Sequence, residues 1–480
     1  MVLLVLLMVL QLAAGQESQP AAQCQLHIEG TPGTEDDWPL GRVRVAEGSC
    51  KGGPVALGMH AQLLNSSRLH FKGVSWSDGC AMHGCLITIC GQTRVVFANS
   101  TISGVNDDSE SELYKKIKSV GSMFRIVCVR DAAHVTFEHT VLRGNMASAI
   151  VAFNTSKVVL RASKVVHNVG FVHAGGVSAT DSADVVVTDG SEIDSNRRDA
   201  TNMKSRSGNF TASLLSGAGL QVLGRARIVV SNGSSVRRNR CLGCSGGGAG
   251  LADHGTLVVS DGSTLSSNTA DMCESGGGGV SLLDQSQLTV QGNSSIANNT
   301  AGMGIGGGLV LTGAATATFV GSSLVDNRVS KFSCTGIYGG AGVAISGNAT
   351  LHLTDSSVMG NKADGGLGAG ILAMNMSTII LASDVRFAGN RLVAGLGRDV
   401  AASSAVQLVF GSGVSQDGRP MSKCSSGVHL GIPPCKAGEY IASGVCRCCP
   451  VFTYTFTHNE TRCEQCPSNS ICTGADSVVP

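Results

Sequence analysis

The chain has 480 residues, a net charge of +1 and a charged fraction of only 14%. The near-neutral charge excludes the basic surface that nucleic-acid binding needs, and a hydrophobic fraction of 42% argues against disorder. Glycine is abundant, with 64 residues, whereas aromatic residues make up only 4% of the chain. This composition favours many short strands joined by turns.

The first fifteen residues form an apolar run that ends in Leu12-Ala13-Ala14-Gly15. That pattern is typical of a secretory signal peptide, although no basic residue precedes the apolar run. We therefore predict a signal peptide at 1–15 and a secreted or cell-surface protein. A retained membrane anchor is the alternative, but the run is short for a membrane span. No later segment is long and apolar enough, so we expect no membrane insertion of the chain as given.

Residues 16–92 contain five cysteines, from Cys24 to Cys90, and the two tryptophans Trp38 and Trp76. A stack of strands exposes an edge that invites pairing with another chain. We expect this region to cap the N-terminal end of the repeats that follow it.

A repeated asparagine marks residues 93–418, and an apolar residue stands three positions before it each time. Most of the spacings between successive asparagines lie between 28 and 34 residues, with extremes of 23 and 43. Upstream of each asparagine lie two short alternating segments and a glycine-rich turn. Together with the segment that carries the apolar residue before the asparagine, they give three short strands in each period. The repeated asparagines are Asn145, Asn168, Asn196, Asn239, Asn268, Asn299, Asn327, Asn361 and Asn390.

A period of about 29 residues without helical periodicity predicts one coil of a parallel β-helix, in which each strand pairs with its equivalent in the next coil. We predict a right-handed, all-β rod of about eleven coils, because parallel crossovers are almost always right-handed. The inward residues stack in rows, and the repeated asparagines adopt αL geometry and bond to one another. In one coil Asp253 falls at an inward position, where we expect a register shift or a bulge.

Three segments lengthen individual coils, and we expect solvated insertions rather than binding loops. Arg197–Ser216 carries four basic residues, among them Arg198. Asp107–Phe124 has the charge pattern of a short surface helix, and Arg328–Tyr338 is the third insertion.

The signals Gly-Gly-Gly-Val (277–280) and Gly-Gly-Leu-Val (307–310), each followed by apolar-x-x-Asn, resemble the repeats of chlamydial polymorphic outer membrane proteins. The resemblance covers about two-thirds of the chain and implies a β-helix on the pectin-lyase plan with a surface or adhesive role. This chain differs in that the apolar residue is usually aliphatic and no C-terminal translocator barrel follows.

Residues 419–480 are rich in cysteine and are similar to the small disulfide modules of the ephrin-receptor and TNF-receptor type, through Cys435-x2-Gly438-x-Tyr440 and Cys463-x2-Cys466-Pro467. A β-helix joined to such a module resembles large secreted proteins of green algae, in which the module usually continues further, so we expect an incomplete module here. We expect disulfides of open connectivity at Cys424, Cys435, Cys446, Cys448, Cys449, Cys463, Cys466 and Cys472.

Ten Asn-x-Ser/Thr tripeptides are possible glycosylation sites in a secreted protein. They begin at Asn65, Asn99, Asn154, Asn209, Asn232, Asn293, Asn298, Asn348, Asn375 and Asn459.

We expect no catalytic, cofactor or metal site. A polysaccharide lyase needs clustered acids that hold Ca²⁺ and a basic residue, and a hydrolase needs paired carboxylates. Asp189, Asp261 and Asp355 fall at matching turn positions, where we expect them to shape turns. Cys241-x2-Cys244 has zinc-ligand spacing, but behind a signal peptide a disulfide is the favoured interpretation.

Taken together, these patterns predict a non-enzymatic, glycosylated β-helix protein with a structural, adhesive or recognition role in the extracellular matrix or cell wall. Its partner would be an extracellular protein or glycan. Two alternatives are a polysaccharide-binding or polysaccharide-cleaving protein of the pectin-lyase fold and the ectodomain fragment of a larger receptor-like membrane protein.

Overall fold

The structure is a computed structural model that describes residues 125–421 apart from 201–216, 272–275, 303, 331–338, 394, 397 and 404–405, together with short strands outside that range. It divides after Asn268 into two compact units, called here the first unit and the second unit. Every regular element among the described residues is a β-strand. The predicted all-β class is therefore confirmed.

One coil of the second unit illustrates the repeat. It consists of strands Val280–Leu282, Gln287–Gln291 and Ser295–Ala297, as predicted, and a fourth short strand, Thr300–Ala301, that the sequence pattern did not predict. Each strand pairs in parallel with the equivalent strand of the next coil. The four strand positions of the coil build the first, second, third and fourth sheets.

In the first unit, parallel pairing begins before Thr93. The strand Cys85–Ile89 pairs in parallel with Arg125–Val129. The first-sheet strands are His27–Thr31, Arg42–Ala46, Val74–Ser75, Cys85–Ile89, Arg125–Val129, Ser148–Ala152, Val177–Ala179, Leu220–Val222 and Ala249–Leu251. The second-sheet strands are Ala56–Gly58, Arg94–Ala98, His134–Glu138, Lys157–Arg161, Asp184–Thr188, Arg227–Val230 and Thr256–Val259. The third sheet holds Thr101–Ile102, Val141–Arg143, Lys164–Val166, Glu192–Asp194, Ser235–Arg237 and Thr264–Ser266, and the fourth holds Val169–Gly170, Arg197–Asp199 and Arg240–Leu242.

The second unit repeats the same plan. Its first-sheet strands are Val280–Leu282, Leu309–Leu311, Val343–Ile345, Ile371–Ala373, Val400–Ala402 and Val428–Leu430, followed by the hairpin Glu439–Ala442 and Val445–Cys448. The second sheet holds Gln287–Gln291, Thr316–Val320, Thr350–Thr354, Thr378–Leu381 and Gln407–Phe410. The third holds Ser295–Ala297, Ser323–Val325, Ser357–Met359, Arg386–Ala388, Ser415–Gln416 and the antiparallel Arg419–Pro420. The fourth holds Thr269–Asp271, Thr300–Ala301, Arg328–Val329, Lys362–Ala363 and Arg391–Leu392. Three two-stranded sheets complete the unit: Gly366–Leu367 with Gly395–Leu396, Thr453–Tyr454 with Glu464–Gln465, and Ile471–Cys472 with Val478–Val479.

The core of each unit consists of rows of inward apolar side chains, one row for each inward strand position. Because equivalent strands pair in register, Val185 lies beside Ile228, and Leu351 lies beside Ile379. All four side chains are fully buried, and the predicted rows of inward residues are confirmed. Burial of a Val, Leu or Ile side chain contributes about 1.5–3 kcal/mol, so the rows stabilise the stack coil by coil.

The register shift or bulge predicted at Asp253 is wrong. The strand Ala249–Leu251 pairs regularly with Leu220–Val222, which places Ala249 and Leu251 inward. The small side chain of Ala249 hid this register in the sequence. Asp253 lies one step beyond the strand in an exposed turn with φ of 58°.

The predicted αL geometry of the repeated asparagines is also wrong. The αL residue is the one immediately before each asparagine, such as Ser195 before Asn196 or Asp326 before Asn327. The turn needs one residue of positive φ, and its placement one step earlier directs the asparagine side chain inward.

The predicted insertion Arg197–Ser216 begins too early. Arg197–Asp199 is a strand of the fourth sheet, and Arg198 is fully buried. The solvated interpretation of Arg198 is therefore wrong, and residues 201–216 lie outside the described part. So do the predicted surface helix Asp107–Phe124 and most of Arg328–Tyr338.

Candidate functional site

The nine repeated asparagines are buried, with at most 3% exposure, and form hydrogen bonds inside the coils. In the first unit Asn145 donates from Nδ2 to Asn168 Oδ1 over 2.7 Å, and Asn196 donates to Asn239 Oδ1 over 3.1 Å. The backbone N–H of Asn196 donates to the same Asn239 oxygen over 2.9 Å. This asparagine ladder satisfies buried backbone groups at the turn, so its role is structural.

The asparagine ladder of the second unit continues through Asn299, Asn327, Asn361 and Asn390 with Nδ2–Oδ1 distances between 3.0 and 3.1 Å. At the end of this series, Asn390 donates from Nδ2 to the fully buried Asp399. The sequence pattern did not identify Asp399, because it breaks the asparagine spacing.

A second buried ladder, of serines, lies at the corner between the second and third sheets, and the sequence analysis missed it. In the first unit the N–H of Ser163 donates to Ser191 Oγ over 3.0 Å, and that of Ser191 donates to Ser234 Oγ over 3.1 Å. The N–H of Ser234 donates to Ser263 Oγ over 3.2 Å. The sequence contains a signal for this ladder in the pattern Ser-x-apolar-x-x-Asn, in which the serine stands two positions before the inward apolar residue.

Six of the ten glycosylation tripeptides fall within the described residues, and all six asparagines are exposed in turns. These are Asn154, Asn232, Asn293, Asn298, Asn348 and Asn375. Asn65, Asn99, Asn209 and Asn459 lie outside the described residues.

The aspartates considered as candidate acids lie in turns of separate coils. Asp189 and Asp261 have φ of 56°, and Asp355 has φ of 49°. Asp189 accepts a hydrogen bond from Asn232 Nδ2 over 3.1 Å and forms an ion pair with Arg161 at 3.2 Å. Its carboxylate is therefore engaged by residues of the neighbouring coils. Each of the three stands two residues after the last inward residue of its second-sheet strand, as predicted, although the turn that holds Asp355 is one residue shorter than the other two.

This difference in turn length produces an open groove in the second unit, called here the serine groove. Two residues separate the inward Phe319 and Leu353 from the following corner serines, whereas three residues fill the equivalent turns of the coils on either side. The two short turns therefore leave a depression two coils wide, on the order of 10 Å. The serine groove has a volume of about 360 Å³ and is lined by Asn293, Gly321, Ser322, Ser323, Asp355, Ser356, Ser357, Asp384 and Arg386.

The lining of the serine groove offers hydrogen-bonding groups of both kinds. Asp355 and Asp384 supply exposed carboxylates, and Arg386 supplies an exposed guanidinium aligned with Ser357 in the third sheet. Ser383 Oγ donates to Asp355 Oδ1 over 3.0 Å and orients that carboxylate. Gly321 leaves the floor open, since a Cβ there would meet no atom within 4 Å. The arrangement fits a ligand that carries many hydroxyl groups.

Ion pairs join neighbouring coils on the third sheet of the first unit. Arg237 bridges Asp194 over 3.2 Å and Glu192 over 2.9 Å, and Arg238 forms a forked pair with Asp194. Burial opposes ionisation of Asp194, but the hydrogen bonds and charges of these arginines outweigh it and lower the pKa of Asp194. These two arginines are therefore engaged with acids of the neighbouring coil.

Four cysteines of the described part form two disulfides, Cys85–Cys128 and Cys241–Cys244. Cys241 and Cys244 therefore form the disulfide that is favoured over a zinc site for this spacing. The side chains of the eight cysteines predicted to form disulfides in 419–480 lie outside the described residues. Within the described residues, no group of three His, Cys, Asp or Glu side chains is arranged to hold a metal ion.

Comparison with known proteins supports the architecture. A family model described as a right-handed beta helix region matches residues 171–392. No curated protein and no solved structure matches the chain. In the described part, no helix is long and apolar enough to cross a membrane. The resemblance to polymorphic outer membrane proteins and to the ephrin/TNF-receptor module stays a prediction, and the chain contains a right-handed parallel β-helix.

Proposed function

We propose that this protein is an extracellular β-helix that recognises polysaccharide of the matrix or cell wall through the serine groove. The observation that carries the proposal is the pair of short turns, which opens a polar groove across two coils. An extended sugar chain presents hydroxyl groups at regular intervals, and the groove offers two carboxylates, a guanidinium and several hydroxyls to meet them.

The extracellular part of the proposal rests on four features: the apolar N-terminal run, the eighteen cysteines, the two disulfides and the five exposed glycosylation tripeptides that lie outside the serine groove. Expression of the full chain in a eukaryotic secretory host tests it. We expect the protein in the medium, with a mass that falls on treatment with an N-glycosidase. Retention in the cytosol without glycan would contradict this part.

Binding is tested on the secreted protein with a panel of matrix and cell-wall polysaccharides. Gly321→Asn fills the floor of the groove while keeping a residue that tolerates positive φ. Arg386→Ala removes the guanidinium. We expect each variant to weaken retention at least tenfold. Arg391→Ala, which removes an exposed arginine of the fourth sheet, is the matched control and should bind normally.

Cleavage is the second candidate, because Asp355 and Asp384 line the same groove from adjacent coils. A glycosidase uses two such carboxylates but keeps one protonated by desolvation, whereas both of these are exposed. We therefore propose binding without cleavage. Release of reducing sugar that disappears in Asp355→Asn would overturn this choice, and absence of binding to the whole panel would overturn the groove proposal.

A further inference from the structure

A buried polar cluster lies on the first sheet of the first unit, and the proposed function does not use it. It comprises Arg125, Phe153, His173, Ser178 and Gln221 and is called here the Arg125 cluster. The arginine is 5% exposed, Ser178 is fully buried and Gln221 is 2% exposed. Phe153 and His173 are partly exposed, so the cluster reaches the surface.

Hydrogen bonds run through the cluster in one consistent direction. His173 Nδ1 lies 3.3 Å from Gln221 Oε1, an acceptor, so Nδ1 carries the proton. The other ring nitrogen, Nε2, then accepts from Arg125 Nη2 over 2.9 Å. Ser178 Oγ also donates to Gln221 Oε1, over 3.0 Å, which fixes the amide. The histidine is held neutral, and the lone pair on its Nε2 positions Nη2 of the Arg125 guanidinium.

The positive charge of the cluster comes from Arg125 and not from His173. Burial and the charge of Arg125 lower the pKa of His173 to about 3, so this ring adds no charge at neutral pH. Arg198, fully buried nearby, also lowers the pKa of His173 through its charge. Burial lowers the pKa of Arg198 to about 10, which still leaves that guanidinium protonated at neutral pH.

Within the described part of the chain, Arg125 contacts no negative group. Its guanidinium meets His173, the Cys85 sulfur at 4.0 Å and the face of Phe153 at 5.5 Å from the ring centre. The Nε of Arg125 is buried without a hydrogen-bond partner. A buried guanidinium is costly unless an anion or further hydrogen bonds compensate it.

We propose that the Arg125 cluster binds an oxyanion, a carboxylate, sulfate or phosphate group, at the Arg125 guanidinium, whose buried Nε lacks a hydrogen-bond partner. The planar fork of arginine matches two oxygens of such a group. The neutral His173 holds Arg125 in place without competing for the anion. This site is independent of the serine groove, which lies in the other unit.

The test is calorimetric titration of the secreted full chain at pH 7 and low ionic strength with sodium phosphate, sulfate and acetate. We expect saturable one-site binding of at least one anion. Arg125→Lys keeps the charge but removes the fork, and it should weaken binding at least tenfold. Arg227→Ala is the matched control, since Arg227 is a half-exposed arginine of the same unit paired with Asp184, and it should bind as the unchanged protein does.

A spectroscopic readout covers the case in which Arg125→Lys fails to fold. Addition of the anion to the unchanged protein should shift the NMR signals of the His173 ring but not those of the exposed His254. Methyl glucuronide and a sulfated oligosaccharide, compared with the free ions, distinguish a sugar-borne group from an inorganic one. No saturable binding, equal binding by the Lys variant, or equal shifts at both histidines would overturn the proposal.

Discussion

Asn390 donates a hydrogen bond from Nδ2 to Oδ1 of the buried Asp399 over 2.8 Å. Each asparagine in the ladder donates a hydrogen bond to an acceptor in the next coil. A carboxylate can accept this bond, and because it has no donor of its own, it needs no further acceptor. Asp399 also accepts from Gln416 over 2.7 Å and from the Arg398 guanidinium over 3.0 Å. A single buried aspartate thereby ends the asparagine ladder of the second unit.

Replacement of Asp399 tests this ending. Asp399→Ala leaves buried donors of Asn390 and Gln416 without the acceptor, and we expect the free energy of unfolding to fall by about 2–4 kcal/mol. Asp399→Asn retains one acceptor oxygen and should cost less. Asp417, whose side chain is 48% exposed, provides the control, and Asp417→Asn should change stability by less than about 0.5 kcal/mol. Urea denaturation followed by circular dichroism measures all three, and equal losses would contradict the role of Asp399.

The middle of the asparagine ladder should be equally sensitive. Asn239→Ala removes the acceptor for both the backbone N–H and the Nδ2 of Asn196, and we expect a loss of about 2–4 kcal/mol in urea denaturation. Asn232, in the same coil, is exposed with φ of 53°. Asn232→Gly preserves that backbone geometry and should leave stability nearly unchanged. A loss at Asn239 no larger than at Asn232 would mean that the ladder contributes little.

The glycine before the first sheet is required by close approach of neighbouring coils. A Cβ at Gly308 would lie 2.7 Å from the carbonyl oxygen of Gly342 and 2.9 Å from Cγ of Asn327. We expect Gly308→Ala to lower the free energy of unfolding by about 1–3 kcal/mol through overpacking. Gly321→Asn, at an open position, should fold with normal stability, as thermal unfolding of both variants will show. Unchanged stability of Gly308→Ala would indicate that neighbouring coils can separate there at no cost.

His173 should make stability depend on pH. Its pKa is lowered to about 3 in the folded chain, by burial and by Arg125, and is about 6.5 when unfolded. Between these values only the unfolded state binds the proton, so stability falls as pH drops from about 6.5 towards 3, by up to about 1.4 kcal/mol per unit. His173→Asn removes this contribution.

The measurement for His173 is the difference between the unchanged protein and His173→Asn in urea denaturation at several pH values. The other charged groups that act on this ring, Arg125 and Arg198, stay protonated throughout that range, so they do not obscure the difference. A difference that does not vary between pH 7 and pH 4 would show that His173 is free to take up a proton in the folded protein.

The rows of the core could be predicted because stacking repeats the same environment in every coil. Val280, Leu309 and Val343 occupy one position of successive coils, so the same burial selects an aliphatic residue each time. The interpretation went wrong at Asp253, where the inward residue is an alanine that carries little hydrophobic signal. It also missed the fourth strand, such as Thr300–Ala301, because two residues are too few for an alternating pattern.

The β-helix fold, the inward rows and the repeated asparagines can be predicted from the sequence, because these features follow a period that recurs along the chain. The consequences of a break in that period become visible only in the folded chain. The serine groove arises from turns one residue shorter than their neighbours. The Arg125 cluster brings together Arg125, His173 and Gln221, in which each residue follows the one before it by 48 positions. Such sites depend on which coils lie side by side, and that proximity exists only once the chain has stacked.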